Sequence, residues 1–196
     1  MASHTPGPIT EQAANGPPAT PRDEPLTFLF TDVEGSTRLW ETSPERMRSA
    51  LERHDAILRS AIADSGGEVV KTTGDGLMAV FAVPVGALTA AVAAQHGLFA
   101  ETWPHGCPIR VRMGIHTGEV ESRGGDFFGP AVNRTARIMS AGHGGQVLLS
   151  EATAGFVEGR LPAGDYLLGG TADLATMPWS ALVELLDDAL TEVQAR

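Results

Sequence analysis

Residues Glu68 to Phe81 read Glu-Val-Val-Lys-Thr-Thr-Gly-Asp-Gly-Leu-Met-Ala-Val-Phe. Two short runs rich in apolar and β-branched residues, 68–73 and 77–81, flank Gly74-Asp75-Gly76, a turn signal of the Asp-Gly kind, so the stretch reads as a β-hairpin. Immediately upstream, Gly66-Gly67 closes a helical pattern that begins near Pro44 and runs to about Asp64. In it Met47, Leu51, His54, Ile57, Leu58, Ala61 and Ile62 recur at i, i+3, i+4 and i+7. Before that helix, Leu26-Thr-Phe-Leu-Phe-Thr31 reads as a strand ending at Thr31.

Downstream, Pro84 opens a second helix to about Glu101, 109–117 is a further strand, and Val120 belongs to a hairpin after Gly118. A helix over 132–140 and a strand over 146–149 follow. The last 40 or so residues carry less pattern, although 178–186 reads as a closing strand. Strand, helix, strand, strand, helix, strand is the ferredoxin-like βαββαβ plan, so the chain is expected to be an α+β domain with that core and a C-terminal extension. Fold alone does not name a function.

The 196 residues suffice for one domain. Residues 1–25, with eight glycines and prolines among small polar residues, are expected to be a disordered tail, and 26–190 the domain. The net charge of −10 argues against a basic nucleic-acid-binding face, but not against a nucleotide whose charge metal ions offset. The apolar stretch 78–94 is broken by Pro84 and Gly86 and is too alanine-rich for a membrane span. No secretory signal is read at the N-terminus, and one cysteine, Cys107, cannot form an internal disulfide. A cytoplasmic location away from membranes is therefore expected.

Two carboxylates stand where a strand gives way to a turn: Asp32, in Phe-Thr-Asp-Val-Glu-Gly-Ser-Thr, and Asp75. In a ferredoxin-like sheet the opening strand neighbours the hairpin, so the two can converge. Hard cations take one or two carboxylates plus phosphate oxygens, and a metal pair under a triphosphate can polarise a hydroxyl and neutralise a leaving group. Gly35-Ser36-Thr37 suits a tight loop whose N–H groups face phosphate. The plainer alternative makes Asp32 a helix cap and Asp75 an ordinary turn residue.

Four segments, in order, extend the case: 30–37 (Phe-Thr-Asp-Val-Glu-Gly-Ser-Thr), 71–76 (Lys-Thr-Thr-Gly-Asp-Gly), 112–118 (Arg-Met-Gly-Ile-His-Thr-Gly) and 126–137 (Asp-Phe-Phe-Gly-Pro-Ala-Val-Asn-Arg-Thr-Ala-Arg). Together they resemble the class III adenylate and guanylate cyclase catalytic domain, over roughly 26–150. The resemblance implies the class III nucleotidyl cyclase fold and two divalent metal ions, Mg²⁺ or Mn²⁺, held by Asp32, Asp75 and the Val33 carbonyl. It implies that Lys71 and Asp126 read the adenine edge of ATP, that Asn133 orients the ribose, and that Arg137 stabilises charge on the α-phosphate. Arg112 matches a phosphate-contacting position; alternatively Arg110 and Arg112 are exposed residues on one strand face. Because the family's base-reading Lys serves the opposite site from its own chain's metal Asp, a chain carrying both sets is expected to form a head-to-tail homodimer.

Other readings stay open. Residues 168–179 hold no Lys or Arg where related bacterial domains tend to carry a basic segment meeting the triphosphate. That favours a weak or inactive nucleotide-binding regulatory dimer as the rival. A guanylate cyclase is opposed by Lys71 and Asp126. Gly124-Gly-Asp-Phe-Phe128 resembles the diguanylate cyclase hairpin but lacks its second acid. His116 reads as a packed core histidine, Cys107 as a non-nucleophilic thiol, and no Cys/His spacing supports zinc.

Overall fold

The computed structural model describes residues 20–21, 24–157, 167–168 and 183–184. In chain order the elements are β1 (Thr20–Pro21), β2 (Leu26–Val33), α1 (Ser36–Thr42), α2 (Pro44–Asp64), β3 (Glu68–Thr73), β4 (Gly76–Phe81), α3 (Pro84–Ala100), β5 (Val111–Gly118), β6 (Glu121–Arg123), β7 (Asp126–Phe128), α4 (Pro130–Ala141), β8 (Val147–Leu149), α5 (Glu151–Val157), β9 (Leu167–Leu168) and β10 (Val183–Glu184). The main sheet runs β3-β4-β2-β5-β8, with β2 antiparallel to β4 and β5, and β8 parallel to β5. From β2 to β5 this is the ferredoxin-like core, extended at one edge by β8.

Side-chain alternation divides the sheet into two faces. Leu29, Val33, Leu77, Ala79, Val111 and Met113 point to one, where α2 and α3 bury Met47, Leu58, Leu88 and Ala91 against them. Phe28, Met78 and Val80 point to the other, against Val120, Phe127 and Ala131. On this second face Gly114 admits α4: a Cβ there would lie 2.4 Å from the Met139 backbone nitrogen. Pro44 opens α2 at a position where its missing N–H costs nothing. Gly66, at φ 75°, closes it, and the Gly67 N–H reaches back to the Ile62 carbonyl at 2.9 Å.

Several boundaries differ from expectation. β2 does not stop at Thr31 but pairs with β5 through Asp32 and Val33, because the ladder bonds continue there. β5 starts at Val111 rather than Ile109, and α4 already at Pro130. α1 is an additional short helix. Within the segment expected to be a disordered tail, Thr20 and Pro21 pair with Ser122 and Glu121 of β6. The rest of 1–19, 22–23 and most of the C-terminal extension lie outside the described residues. Of the expected strand 178–186, the described part, Val183–Glu184, is a strand paired with Leu167–Leu168. Among the described residues no helix is long and apolar enough to cross a membrane.

Candidate active site

The face that carries α4 also carries Asp32, Arg112 and Lys71. In the β2–β5 register Asp32 stands directly opposite Arg112, and the Arg112 guanidinium donates from Nε (2.9 Å) and Nη2 (2.6 Å) to Asp32 Oδ2. The sequence suggested a phosphate contact or a solvated arginine at 112; the structure makes it the counterion of Asp32. Such a charge-assisted fork holds both side chains in place.

Asp75 enters from the turn after β3. The β2–β4 register ends at Phe30 opposite Met78, the Leu77 N–H donates to Thr31 Oγ1 at 2.9 Å, and the Gly76 backbone runs against the Thr31 carbonyl. A Cβ at Gly76 would lie 2.1 Å from that oxygen, so this approach requires glycine. The turn thereby abuts Asp32. Asp75 Oδ2 is buried and has no hydrogen-bond partner. A buried carboxylate oxygen left unpaired is costly, and a cation is what relieves it. Two carboxylates and a nearby backbone carbonyl are hard oxygen donors of the kind Mg²⁺ and Mn²⁺ take together with phosphate oxygens. Among the described residues no group of three or more His, Cys, Asp or Glu gathers as an all-protein metal cage. The donors present thus fit a cation shared with a phosphate ligand.

Lys71 reaches the same face by a device the sequence pattern hides. Val69 pairs with Ala79, yet Lys71 pairs with Met78, so β3 advances two residues for one on β4. Simple alternation puts Lys71 with Val69 on the α2–α3 side; this β-bulge turns it to the α4 side. There its Nζ donates to both Asp126 oxygens at 2.8 Å, and the Phe127 N–H adds a bond to Asp126 Oδ1 at 2.8 Å. The Lys71 hydrogen bond is the main cause that holds the Asp126 carboxyl below its usual range. Lys71 and Asp126, 55 residues apart, are therefore brought together.

Asn133 and Arg137 are not brought to this group. α4 buries Ala131, Thr135 and Ile138 against the sheet. At about 100° per residue, Asn133 and Arg137 lie on the opposite side of the helix. Both are exposed, and neither side chain makes a hydrogen bond or ion pair among the described residues. The i, i+4 spacing does put them on one face of one helix, as expected.

Residues 19–165 match the family model of the adenylate and guanylate cyclase catalytic domain. The chain belongs to this family. An uncharacterised protein of Mycobacterium tuberculosis is 42% identical over 145 residues, covering 73% of this chain and 48% of the relative. This cyclase domain thus spans about half the length of such relatives. An adenylate cyclase of Lachancea kluyveri is 34% identical over 159 residues, covering 68% of this chain and 9% of that protein. Among solved structures, an adenylate cyclase of Trypanosoma brucei described in its monomeric state superposes with a TM-score of 0.67 at 26% identity, over 87% of this chain and 91% of that one. The class III cyclase fold is therefore the observed one.

Two of the cyclase domain's side chains behave as the sequence suggested. His116 is buried, shares a 2.7 Å hydrogen bond with Ser150 Oγ, and is pushed down to about 4, first by burial and then by Arg134. Cys107 is fully buried beside Met47, and burial pushes its thiol up, away from nucleophilic use. Sequence reasoning missed the Asp32–Arg112 pair, although both residues were singled out. Their pairing depends on β2 running two residues further than its apolar pattern, and no local signal marks that.

Proposed function

We propose that this cyclase domain converts ATP to 3′,5′-cyclic AMP and pyrophosphate, at sites shared by two copies of the chain related head to tail. The observation that carries the adenine reading is the Lys71–Asp126 pair. A cationic donor and an anionic acceptor held side by side match the adenine ring nitrogen N1 and the exocyclic amine; guanine presents the reverse polarity, which leaves both groups mispaired. Asp32, Asp75 and the Val33 carbonyl are the residues that would hold Mg²⁺ or Mn²⁺, which supplies Lewis acidity at the ribose 3′-oxygen and the phosphates. The unpaired Asp75 oxygen supports that assignment.

The chain's own groups do the rest. Lys71 and Asp126 fix the base, which sets the ribose 3′-oxygen against the α-phosphate. Asn133 orients the ribose, and Arg137 offers a planar, permanently charged fork to oxygens that gain charge as the 3′-oxygen bonds to phosphorus and pyrophosphate departs. Arg112 exchanges Asp32 for the triphosphate. Since α4 turns Asn133 and Arg137 away from the sheet that bears Asp32, a second copy is the natural source of these two groups. ATP as substrate fits a cytoplasmic site of action.

The test is direct. Purified chain with Mn²⁺ and ATP yields cyclic AMP, and Asp32→Ala removes it. If the intact chain forms none, across metals and at high protein concentration, the proposal falls in favour of a nucleotide-binding dimer without turnover. The lack of Lys and Arg in 168–179 is what favours that second reading.

A further inference from the structure

Asp75 Oδ2 is one of two side-chain polar atoms that are buried without a hydrogen-bond partner among the described residues; the other is His54 Nε2. His54 belongs to the stripe of α2 that packs inward with Met47, Ala50, Leu58 and Ala61, and it is fully buried. An imidazole enclosed in this way is costly unless both nitrogens are satisfied. Its Nδ1 lies 2.9 Å from Asp55 Oδ1. A carboxylate oxygen only accepts, so Nδ1 donates, and Nε2 of the neutral ring remains an acceptor on the edge turned away from Asp55.

The two unpaired atoms belong to one neighbourhood. β3 runs back along α2, and the Arg59 guanidinium donates from Nη2 to Thr72 Oγ1 at 3.1 Å. His54 precedes Arg59 by five residues, about 7 Å nearer the start of the helix. Asp75 follows Thr72 by three residues, up to about 10 Å further in the same direction. Both therefore come level at the turn after β3. The electrostatics agree: burial pushes the His54 pKa down, while Asp55 and, more weakly, Asp75 push it up. Two acceptors cannot satisfy each other, so each needs a donor or a cation.

We propose that His54 is a positioning residue of the candidate metal site: its Nε2 accepts a hydrogen bond from a hydration water of the cation that Asp75 holds. This rests on the metal reading above and deepens it. Mg²⁺ gives up water reluctantly and keeps several molecules when carboxylates bind it. One hydrated cation then satisfies both atoms, Asp75 Oδ2 by a direct bond and His54 Nε2 through water. Asp55 fixes the ring, so the acceptor keeps its direction. Partners of this kind, one step beyond the direct ligands, are typically worth about 10- to 100-fold in metal affinity.

The experiment measures Mn²⁺ affinity of the full chain by calorimetry, alone and with 3′-deoxy-ATP, which lacks the oxygen that attacks the α-phosphate. His54→Asn keeps a donor toward Asp55 but has no atom at the Nε2 position, and its Kd for Mn²⁺ is expected to rise about 10-fold. His54→Gln puts an amide oxygen near that position and is expected to recover most of the loss. His96→Asn, on the exposed side of α3, leaves the affinity unchanged. A histidine that only packs would alter thermal stability without separating the Asn and Gln variants in Mn²⁺ affinity. Equal affinity of the unaltered chain and folded His54→Asn overturns the proposal, as does a Gln variant that binds no better than the Asn variant. Should His54→Asn fail to fold, NMR of the unaltered chain with labelled histidine decides: Mn²⁺ is expected to broaden the His54 ring signals, and signals that stay sharp overturn the proposal. An intact chain that takes no Mn²⁺ in either condition overturns the metal reading and this one together. Cyclic AMP formation is scored separately. Turnover with Mn²⁺ affinity untouched by His54→Asn sinks the role of His54 and spares the cyclase reading; His54-dependent Mn²⁺ binding without turnover does the reverse.

Discussion

Asp75 shows how a residue's environment declares a task. Its Oδ2 is enclosed without a hydrogen bond, whereas Asp32 beside it is neutralised by Arg112. Asp75→Asn removes the uncompensated charge, so the metal-free variant is expected to melt higher than the parent and to lose the rise in Tm that Mn²⁺ gives. Differential scanning fluorimetry with and without Mn²⁺ checks both; an unchanged Mn²⁺ response would remove Asp75 from the metal site. His116 supplies a pH dependence. In the unfolded chain it takes a proton near 6.5, but in the fold only near 4. Between those values the unfolded state binds more protons, so stability is full above about 6.5 and falls as pH drops toward 4, by up to about 3 kcal/mol. Denaturant midpoints at pH 7 and pH 5 should differ accordingly, and His116→Asn should reduce the difference. The candidate acids could be singled out in the sequence because their types are unusual where they stand: an acid closing an apolar strand, an acid between two glycines. Their partners could not, because a pair such as Lys71–Asp126, 55 positions apart, leaves no local trace.

At the scale of elements, α2 and β3 begin and end where the periodicity, Pro44 and Gly66-Gly67 place them, since local signals and burial agree. β2 runs past its apolar pattern because Asp32 and Val33 keep partners on β5, a tertiary effect. The bulge before Lys71 was equally hidden: Val69 and Val70 are both partly buried, and nothing in two adjacent valines says which face follows. Contact between α4 and the sheet depends on Gly114. Gly114→Ala places a methyl within 2.4 Å of the Met139 backbone nitrogen, so the helix must shift. A loss of about 1–3 kcal/mol is expected in urea unfolding, together with reduced turnover, because α4 carries Asn133 and Arg137. Unchanged stability would mean that α4 sits further from β5 than described.

For the whole molecule, the residues sort by where they point rather than by where they fall in sequence. Asp32, Asp75 and Arg112 gather at one end of the sheet, whereas Asn133 and Arg137 look outward from the far side of α4. Within one copy these two groups of candidate residues therefore do not meet. The resemblance leads to the expectation of a shared site, and the head-to-tail arrangement proposed above takes the orientation of α4 as its starting point. Mixing Asp32→Ala chain with Arg137→Ala chain measures this most directly. Each variant alone should be inactive, while the mixture should regain cyclic AMP formation, since half the sites of each heterodimer combine an intact Asp32 with an intact Arg137. Proven heterodimers that stay as inactive as the separate variants would contradict it.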